Sequence, residues 1–227
     1  DRRRDDPEAM IVAQLRVAHA GGGHRWVELR ARPFVDERGV VDGNAVSLRR
    51  VDGEVAARQE LERRARFDEV TGLMNRVEVL ERLEQLPRRV RRSGTEIAVM
   101  FCDVDSLKSV NDALGHRVGD LLLRTVADRV VASVRADDLV ARIGGDELLV
   151  VLDGVHDLAQ AVEVAEKVRA AVARPVELEG RELSPTLSIG VAIARSGDGT
   201  DELVARADAA MYRAKRAGRD RVATASV

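Results

Sequence analysis

A single cysteine, Cys102, excludes an intrachain disulfide in these 227 residues, which fits a reducing compartment such as the cytoplasm. No apolar stretch approaches the roughly 18 residues that a membrane-spanning helix needs, and no signal peptide opens the chain. Nothing within these residues is therefore expected to enter a membrane. Net charge is also scarce: 37 Lys and Arg face 39 Asp and Glu, a formal −2. That balance removes the electrostatic case for general nucleic-acid or anionic-membrane binding, so any basic site must be local. Apolar material is ample, and 45% hydrophobic residues at this length can fill one full domain plus a smaller segment.

The most informative stretch is Leu139 to Asp153, LVARIGGDELLVVLD. Two apolar runs of strand length and composition flank Gly144-Gly145, which supplies the backbone freedom of a tight hairpin. Asp146 and Glu147 follow the turn at once. Paired acids at the start of a buried strand are costly unless a metal ion or a cation compensates them. A second apolar run, Glu96 to Asp105 (EIAVMFCDVD), reads as a buried strand with two acids at its C-terminal end, where α/β folds place their chemistry. Asp103 and Asp105 share a face because side chains alternate along a strand.

The rest of the chain divides by pattern. Asp1 to Asp6 is a charged segment expected to fray, or to be the cut end of something longer. Strands are expected at Leu15–Ala18, Arg25–Ala31 and Val40–Arg49, separated by Gly21-Gly22-Gly23 and by Asp36 to Gly39. Trp26 reads as a core or interface aromatic, and His19 and His24 as solvated residues of the glycine-rich turn. Gly53 to Asp68 reads as one charged helix with a thin apolar stripe, either a short parallel coiled coil or a solvated linker. Thr71 or Asp68 is expected to cap a helix from about Arg76 to Arg92, its apolar face made by Val77, Leu80, Leu83 and Leu86, with Pro87 bending or ending it. After the Asp105 strand come a short helix, a break at Gly115 and a long helix. Beyond the hairpin follow a helix over Leu158–Ala173, strands over Pro175–Glu179 and Glu182–Ala194, a helix over Asp201–Ala217 and a closing strand at Arg221–Ala225. Alternation around a central antiparallel hairpin predicts an α/β (α+β) ferredoxin-like sandwich.

Two resemblances attach to these residues. The run GGGHRWVELRARPFVDERGVVDGNAVSLRRVDG at 21–53, with Trp26 in place, resembles the C-terminal half of a PAS sensor domain, in a resemblance that covers about forty residues. Its helical, pocket-forming half would lie before Asp1. From Asp68 to Val222 the chain resembles a GGDEF domain, the family of diguanylate cyclases. The resemblance is carried by DEVTGLMNR at 68–76, DVDSLKSVNDALGHRVGD at 103–120, RADD at 135–138, GGDEL at 144–148, TLSIGVA at 186–192 and ADAAMYRAKRAGRD at 207–220. The implied organisation is a partial PAS-like segment at 1–52, a signalling helix at 53–67 and a GGDEF domain of nucleotidyl-cyclase palm type at 68–227.

The GGDEF resemblance implies that two GTP molecules, one on each subunit of a homodimer, become cyclic di-GMP and two pyrophosphates. This chemistry needs charge neutralisation and in-line alignment, for which hard oxygen ligands suit Mg²⁺, with Mn²⁺ as the alternative. Carried over residue by residue, Asp103, Glu147 and the carbonyl of Val104 are metal ligands. Asp146 is a further ligand or helps deprotonate the 3′-hydroxyl. Gly144 and Gly145 admit the phosphates, Lys108, Lys215 and Arg219 hold the triphosphate, and Asn111 and Asp120 read guanine. Each has a plainer reading: a salt bridge for the acids, an ordinary turn for the glycines, surface charge for the cations, and a cap at the Gly115 break for Asn111. Asp105 has no role in the family pattern and reads as structural.

Arg135-Ala136-Asp137-Asp138 matches the family's RxxD inhibitory motif, five residues before Gly144. Five strand residues put it about 17 Å from the turn, outside the active site. The resemblance implies a product-binding site with Lys167 as a second contact where many members use Arg; the plainer reading is a local Arg135-Asp138 pair. An ammonium does not reproduce guanidinium stacking or its bidentate fork, so weaker product inhibition is expected. Leu148 replaces the Phe of the family name, faces away from Glu147 and should cost only packing. An active cyclase is the leading expectation, a nucleotide-sensing module without turnover the second. A phosphodiesterase ranks last, since no second catalytic domain follows Val222.

Overall fold

The computed structural model describes residues 10–86, 95–195 and 197–225. Its contacts divide the chain into two compact units, 1–63 and 64–227. The first is a three-stranded antiparallel sheet, β1 (Ile11–Ala18), β2 (His24–Val35) and β3 (Val41–Arg50), in that spatial order. Gly22 and Gly23 turn the first hairpin at φ 88° and 78°, a region that favours glycine. His19 is exposed and holds that turn through its Nδ1, which accepts from Gly21 N at 3.0 Å. Asp52 opens helix α1 (Asp52–Arg66) by accepting from the Trp26 amide at 2.7 Å. Val55 is the buried residue of that helix, whereas Leu61 is exposed.

The second unit is built on a five-stranded sheet. Its strands are β4 (Glu96–Val104), β5 (Leu139–Gly144), β6 (Glu147–Val155), β9 (Leu187–Ile193) and β10 (Arg221–Thr224), in the order β10-β9-β4-β6-β5. Only the β9–β10 pair is parallel. Both faces of β4 are covered, which is why its sequence is a continuous apolar run. Met100, Cys102 and Val104 face a core shared with helices α4 (His116–Ser133) and α5 (Leu158–Val172). Val99 and Phe101 face a second core with α2 (Arg76–Gln85) and α6 (Thr200–Arg216). Helix α3 (Leu107–Leu114) joins β4 to α4. A short hairpin of β7 (Val176–Leu178) and β8 (Arg181–Leu183) stands apart from the sheet.

This α/β architecture agrees with the expected sandwich, and three local expectations are corrected. The cap of α2 is Asn75, whose side chain accepts from Glu78 N at 3.0 Å, rather than Thr71 or Asp68. With the helix phased from Asn75, Val79 and Leu83 are buried and Val77 is exposed. The part of that helix expected beyond Leu86, with Pro87, lies outside the described residues, as does the Asp1–Asp6 segment. The strand expected over Glu182–Ala194 breaks into β8 and β9, because Pro185 between them has no N–H for a ladder.

Candidate active site

Sheet alternation assembles the acids. Asp103 and Glu147 are register partners across β4 and β6, on the face whose inner positions are Phe101, Leu149 and Val151. Leu148 is fully buried on the other face, as expected. The turn between β5 and β6 pairs Gly144 with Glu147 directly. Gly145 needs its residue type, at φ 38°, whereas a Cβ on Gly144 would meet nothing within 4 Å. Neither backbone nor packing within the chain demands glycine at 144. The turn is locked to β4 by Val104 N, which donates to the Asp146 carbonyl at 2.9 Å.

Charge is concentrated here. Burial pushes the Asp103 carboxyl up to about 6, with Asp146 and Asp105 adding to the rise and Lys215 opposing it. Burial, then the charges of Asp146 and Asp208, raise Glu147. Lys215, one face of α6, donates its ammonium to Asp103. Gly190 in β9 makes that approach possible: a Cβ there would lie 2.0 Å from the Ala207 carbonyl and 2.1 Å from Met211 N, so α6 rests backbone to backbone on the strand. Among the described residues, no three His, Cys, Asp or Glu side chains form a ready-made metal cage. Mg²⁺ does not require one, since it keeps waters and takes one or two protein carboxylates plus substrate phosphates. A cross-strand Asp–Glu pair that already draws a cation is a donor set of that kind.

The other residues singled out in the sequence fall into two groups. Arg219 lies after α6, exposed, with its Nε 3.9 Å from Asp105. Lys108 is exposed on the first turn of α3, which begins just past β4. The carboxamide of Asn111 lies against Gly119, where a Cβ would come within 1.8 Å of its Oδ1, bringing it beside Asp120 of α4. Asn111 does not cap the break through its side chain; its backbone carbonyl accepts from Gly115 N at 2.8 Å. At a separate place, Arg135, Asp138 and Lys167 line a cavity of about 200 Å³. Asp138 accepts from Arg135 N at 2.8 Å and Asp153 N at 3.3 Å, while Lys167 donates to the Ser133 carbonyl at 2.9 Å. Among the described residues, no ion pair joins the Arg135 and Asp138 side chains.

Sequence reasoning missed two contributors. Arg142, in β5, donates twice to the Gly145 carbonyl (3.0 and 2.7 Å) and pairs with Asp68 at 3.0 Å, clamping the turn to the segment before α2. Burial works to raise Asp68, but bonds from Thr71 and Arg142 outweigh it and hold its carboxyl below the usual range. Ser106 opens α3 in the left-handed region, φ 61°, and its side chain caps none of the helix's first N–H groups. An arginine two residues before a Gly-Gly turn was the available signal for the first; Ser106 left none.

An antiparallel-centred α/β sheet with facing acids at a glycine turn, and a lysine on one of them, is an arrangement suited to a divalent cation and a nucleotide's phosphates. The chain belongs to the GGDEF family, described as "Diguanylate cyclase, GGDEF domain", whose profile matches residues 65–221. It is 43% identical over 166 residues to the bifunctional diguanylate cyclase/cyclic di-GMP phosphodiesterase MucR of Pseudomonas aeruginosa, covering 72% of this chain and 24% of that protein. To diguanylate cyclase DgcP of the same organism it is 38% identical over 168 residues, 74% of this chain and 25% of the relative. Among solved structures, the GGDEF domain of TpbB (YfiN) from Pseudomonas aeruginosa matches with TM-score 0.68 and 37% identity, over 70% of this chain and 94% of that one. The GGDEF domain of DgcB from Caulobacter crescentus, in complex with c-di-GMP, matches with TM-score 0.67 and 30% identity, over 71% and 96%. The chain thus spans about a quarter of these two curated relatives' length. No helix among the described residues is long and apolar enough to cross a membrane.

Proposed function

We propose that the chain carries the catalytic module of a diguanylate cyclase, which joins two GTP molecules into cyclic di-GMP and releases two pyrophosphates. The observation that carries this reading is the cross-strand pair Asp103–Glu147 beside Gly144-Gly145, with Lys215 drawn onto Asp103. Asp103, Glu147 and the Val104 carbonyl hold Mg²⁺ (Mn²⁺ serves the same ligands), and the ion, when bound, neutralises phosphate charge. Lys215, Lys108 and Arg219 hold the triphosphate, and Gly144 gives it room. Asn111 and Asp120 read guanine, a carboxylate accepting from its N1 and N2 while the amide both donates and accepts. Asp146 takes up or relays the 3′-hydroxyl proton as the new 3′-O to Pα bond forms and the bond to pyrophosphate breaks. Each copy offers one GGDE turn, so the two bonds require a homodimer in which each 3′-hydroxyl attacks the partner's nucleotide.

The cavity of Arg135, Asp138 and Lys167 takes the product and provides feedback, with Lys167 making it weaker than an arginine would. The three-stranded sheet before α1 is the C-terminal part of a PAS-like sensor, and α1 relays its state. The module works in the cytoplasm, a reading supported by the free, buried Cys102. Incubation with GTP and Mg²⁺ should yield cyclic di-GMP, and Asp103→Asn should abolish it while leaving the protein folded. Absence of product at protein concentrations where dimers form would overturn the reading.

A further inference from the structure

Among the described residues, Asp105 is the one buried acid beside the site that has no task in the proposed reaction. Its side chain is 3% exposed, and a carboxylate at that depth needs donors on both oxygens. Ser188 Oγ donates to Oδ1 at 2.8 Å, Thr186 Oγ1 to Oδ2 at 2.8 Å, and the Asp220 amide to Oδ2 at 3.2 Å. Asp105 N in turn donates to the Thr186 carbonyl at 3.0 Å. Two of these contacts come from the start of β9 and its approach. The third comes from the turn that follows α6, and that turn is unusual. Gly218, Arg219 and Asp220 are all left-handed, at φ 118°, 61° and 43°. Two non-glycine residues in that region are strained and persist only where the surroundings over-determine them.

The surroundings do so from three sides. Arg219 N donates to the Ala214 carbonyl at 3.1 Å, Asp105 takes the Asp220 amide, and Arg169 of α5 donates to the Asp220 carboxylate at 2.7 Å. The geometry also repeats the contact next to it. Asp103 and Asp105 lie two apart on one face of the strand and its extension, and Lys215 and Arg219 lie four apart at the end of α6. Asp103 takes the Lys215 ammonium, and Asp105 stands 3.9 Å from the Arg219 Nε while binding the next residue's amide. From these contacts we infer that Asp105 is the positioning residue for Arg219: it fixes the left-handed 218–220 turn and so aims the guanidinium at the β- and γ-phosphates of the nucleotide. This rests on the reading of Arg219 as a triphosphate contact.

A positioning role and a merely structural one part company on the nucleotide's phosphate number. Calorimetric titration of the full chain with GTP, supplied as its 3′-deoxy form that lacks the attacking hydroxyl, and with GMP, each with Mg²⁺, reads the difference. Arg219→Ala removes the guanidinium, and Asp105→Asn removes the carboxylate charge that faces Arg219 and leaves one acceptor oxygen where two oxygens now serve three donors. Each is expected to weaken GTP about tenfold, the scale of one charge-assisted contact, while leaving GMP within about twofold. The double variant should bind GTP no more weakly than Arg219→Ala alone, because both changes remove one interaction. The GTP KM should rise with kcat less affected. Equal losses for GTP and GMP, or additive losses in the double variant, would reduce Asp105 to a structural residue. Should Asp105→Asn fail to fold, Thr186→Val removes one donor with little change of shape and should give a smaller loss for GTP alone; wild-type GTP affinity in that variant overturns the assignment. If Arg219→Ala binds GTP as the wild type does, the proposed triphosphate role of Arg219 fails with it. If Arg219→Ala weakens GTP selectively and Asp105→Asn and Thr186→Val do not, the positioning role alone fails.

Discussion

Gly190→Ala tests whether the position of α6, and through it Lys215, is set by one close backbone contact. The added Cβ would sit 2.0 Å from the Ala207 carbonyl, 2.1 Å from Met211 N and 2.9 Å from the Ala210 carbonyl carbon. All three are backbone atoms, so no side chain can rotate out of the way. Restoring a contact of 3.0 Å or more requires the helix to lift from β9 by about 1 Å, prying apart a packed core at a cost of roughly 1–3 kcal/mol. For a domain of this size each kcal/mol lowers Tm by about 2–4 °C, so a fall of about 2–12 °C is expected in a thermal melt. The same lift draws Lys215 away from Asp103, and a shift of about 1 Å in a positioning group commonly costs 100-fold in rate. Melting curves and cyclic di-GMP formation should therefore fall together. A variant with wild-type Tm and wild-type turnover would refute the claim that this contact sets the helix.

Other consequences follow from single groups. Bonds from Thr71 and Arg142 depress the Asp68 carboxyl below its ordinary 3.8, so its stabilisation is full above that value and lost as pH falls through the lower folded value. In urea melts between pH 2 and 5, Asp68→Asn should flatten that acid-side loss; an unchanged pH profile would contradict the clamp. Burial pushes the Cys102 thiol up to about 12, so it should resist alkylation at pH 8 in the native protein and react only on unfolding; prompt labelling of the folded protein would contradict the buried strand. Lys167→Arg, in the 200 Å³ cavity with Arg135 and Asp138, should tighten cyclic di-GMP about three- to tenfold in calorimetry. No gain, or a loss, would contradict Lys167 as a product contact.

What the sequence made legible was local and periodic. Glu96 to Asp105 read as a buried strand from its apolar run, and the two acids at its end marked a site before any fold was known. The joining of Asp103 with Glu147 came from the family resemblance, since alternation along each strand does not set the register between them. Contacts between distant segments were not legible. Lys215 reaches Asp103 across 112 positions, and Arg142 reaches Asp68 across 74, distances that only the strand order closes. Caps were misread where several candidates stood close together: Asp68, Thr71 and Asn75 all have capping side chains, and Asp68 is instead used by Arg142 and Thr71. The left-handed residues Ser106, Arg219 and Asp220 are not glycines and gave no signal by residue type; tertiary bonds hold Asp220.

The central claim is that Asp103, Glu147 and the glycine turn form half of a GTP-condensing site completed by a second copy. The most direct measurement is the rate of cyclic di-GMP formation from GTP and Mg²⁺ as a function of protein concentration, followed by chromatography of the nucleotide product. The expected result is cyclic di-GMP with two pyrophosphates per molecule, at a rate per chain that climbs with protein concentration until dimers saturate, and none from Asp103→Asn. Folded, dimeric protein that binds GTP and leaves it unchanged would contradict it.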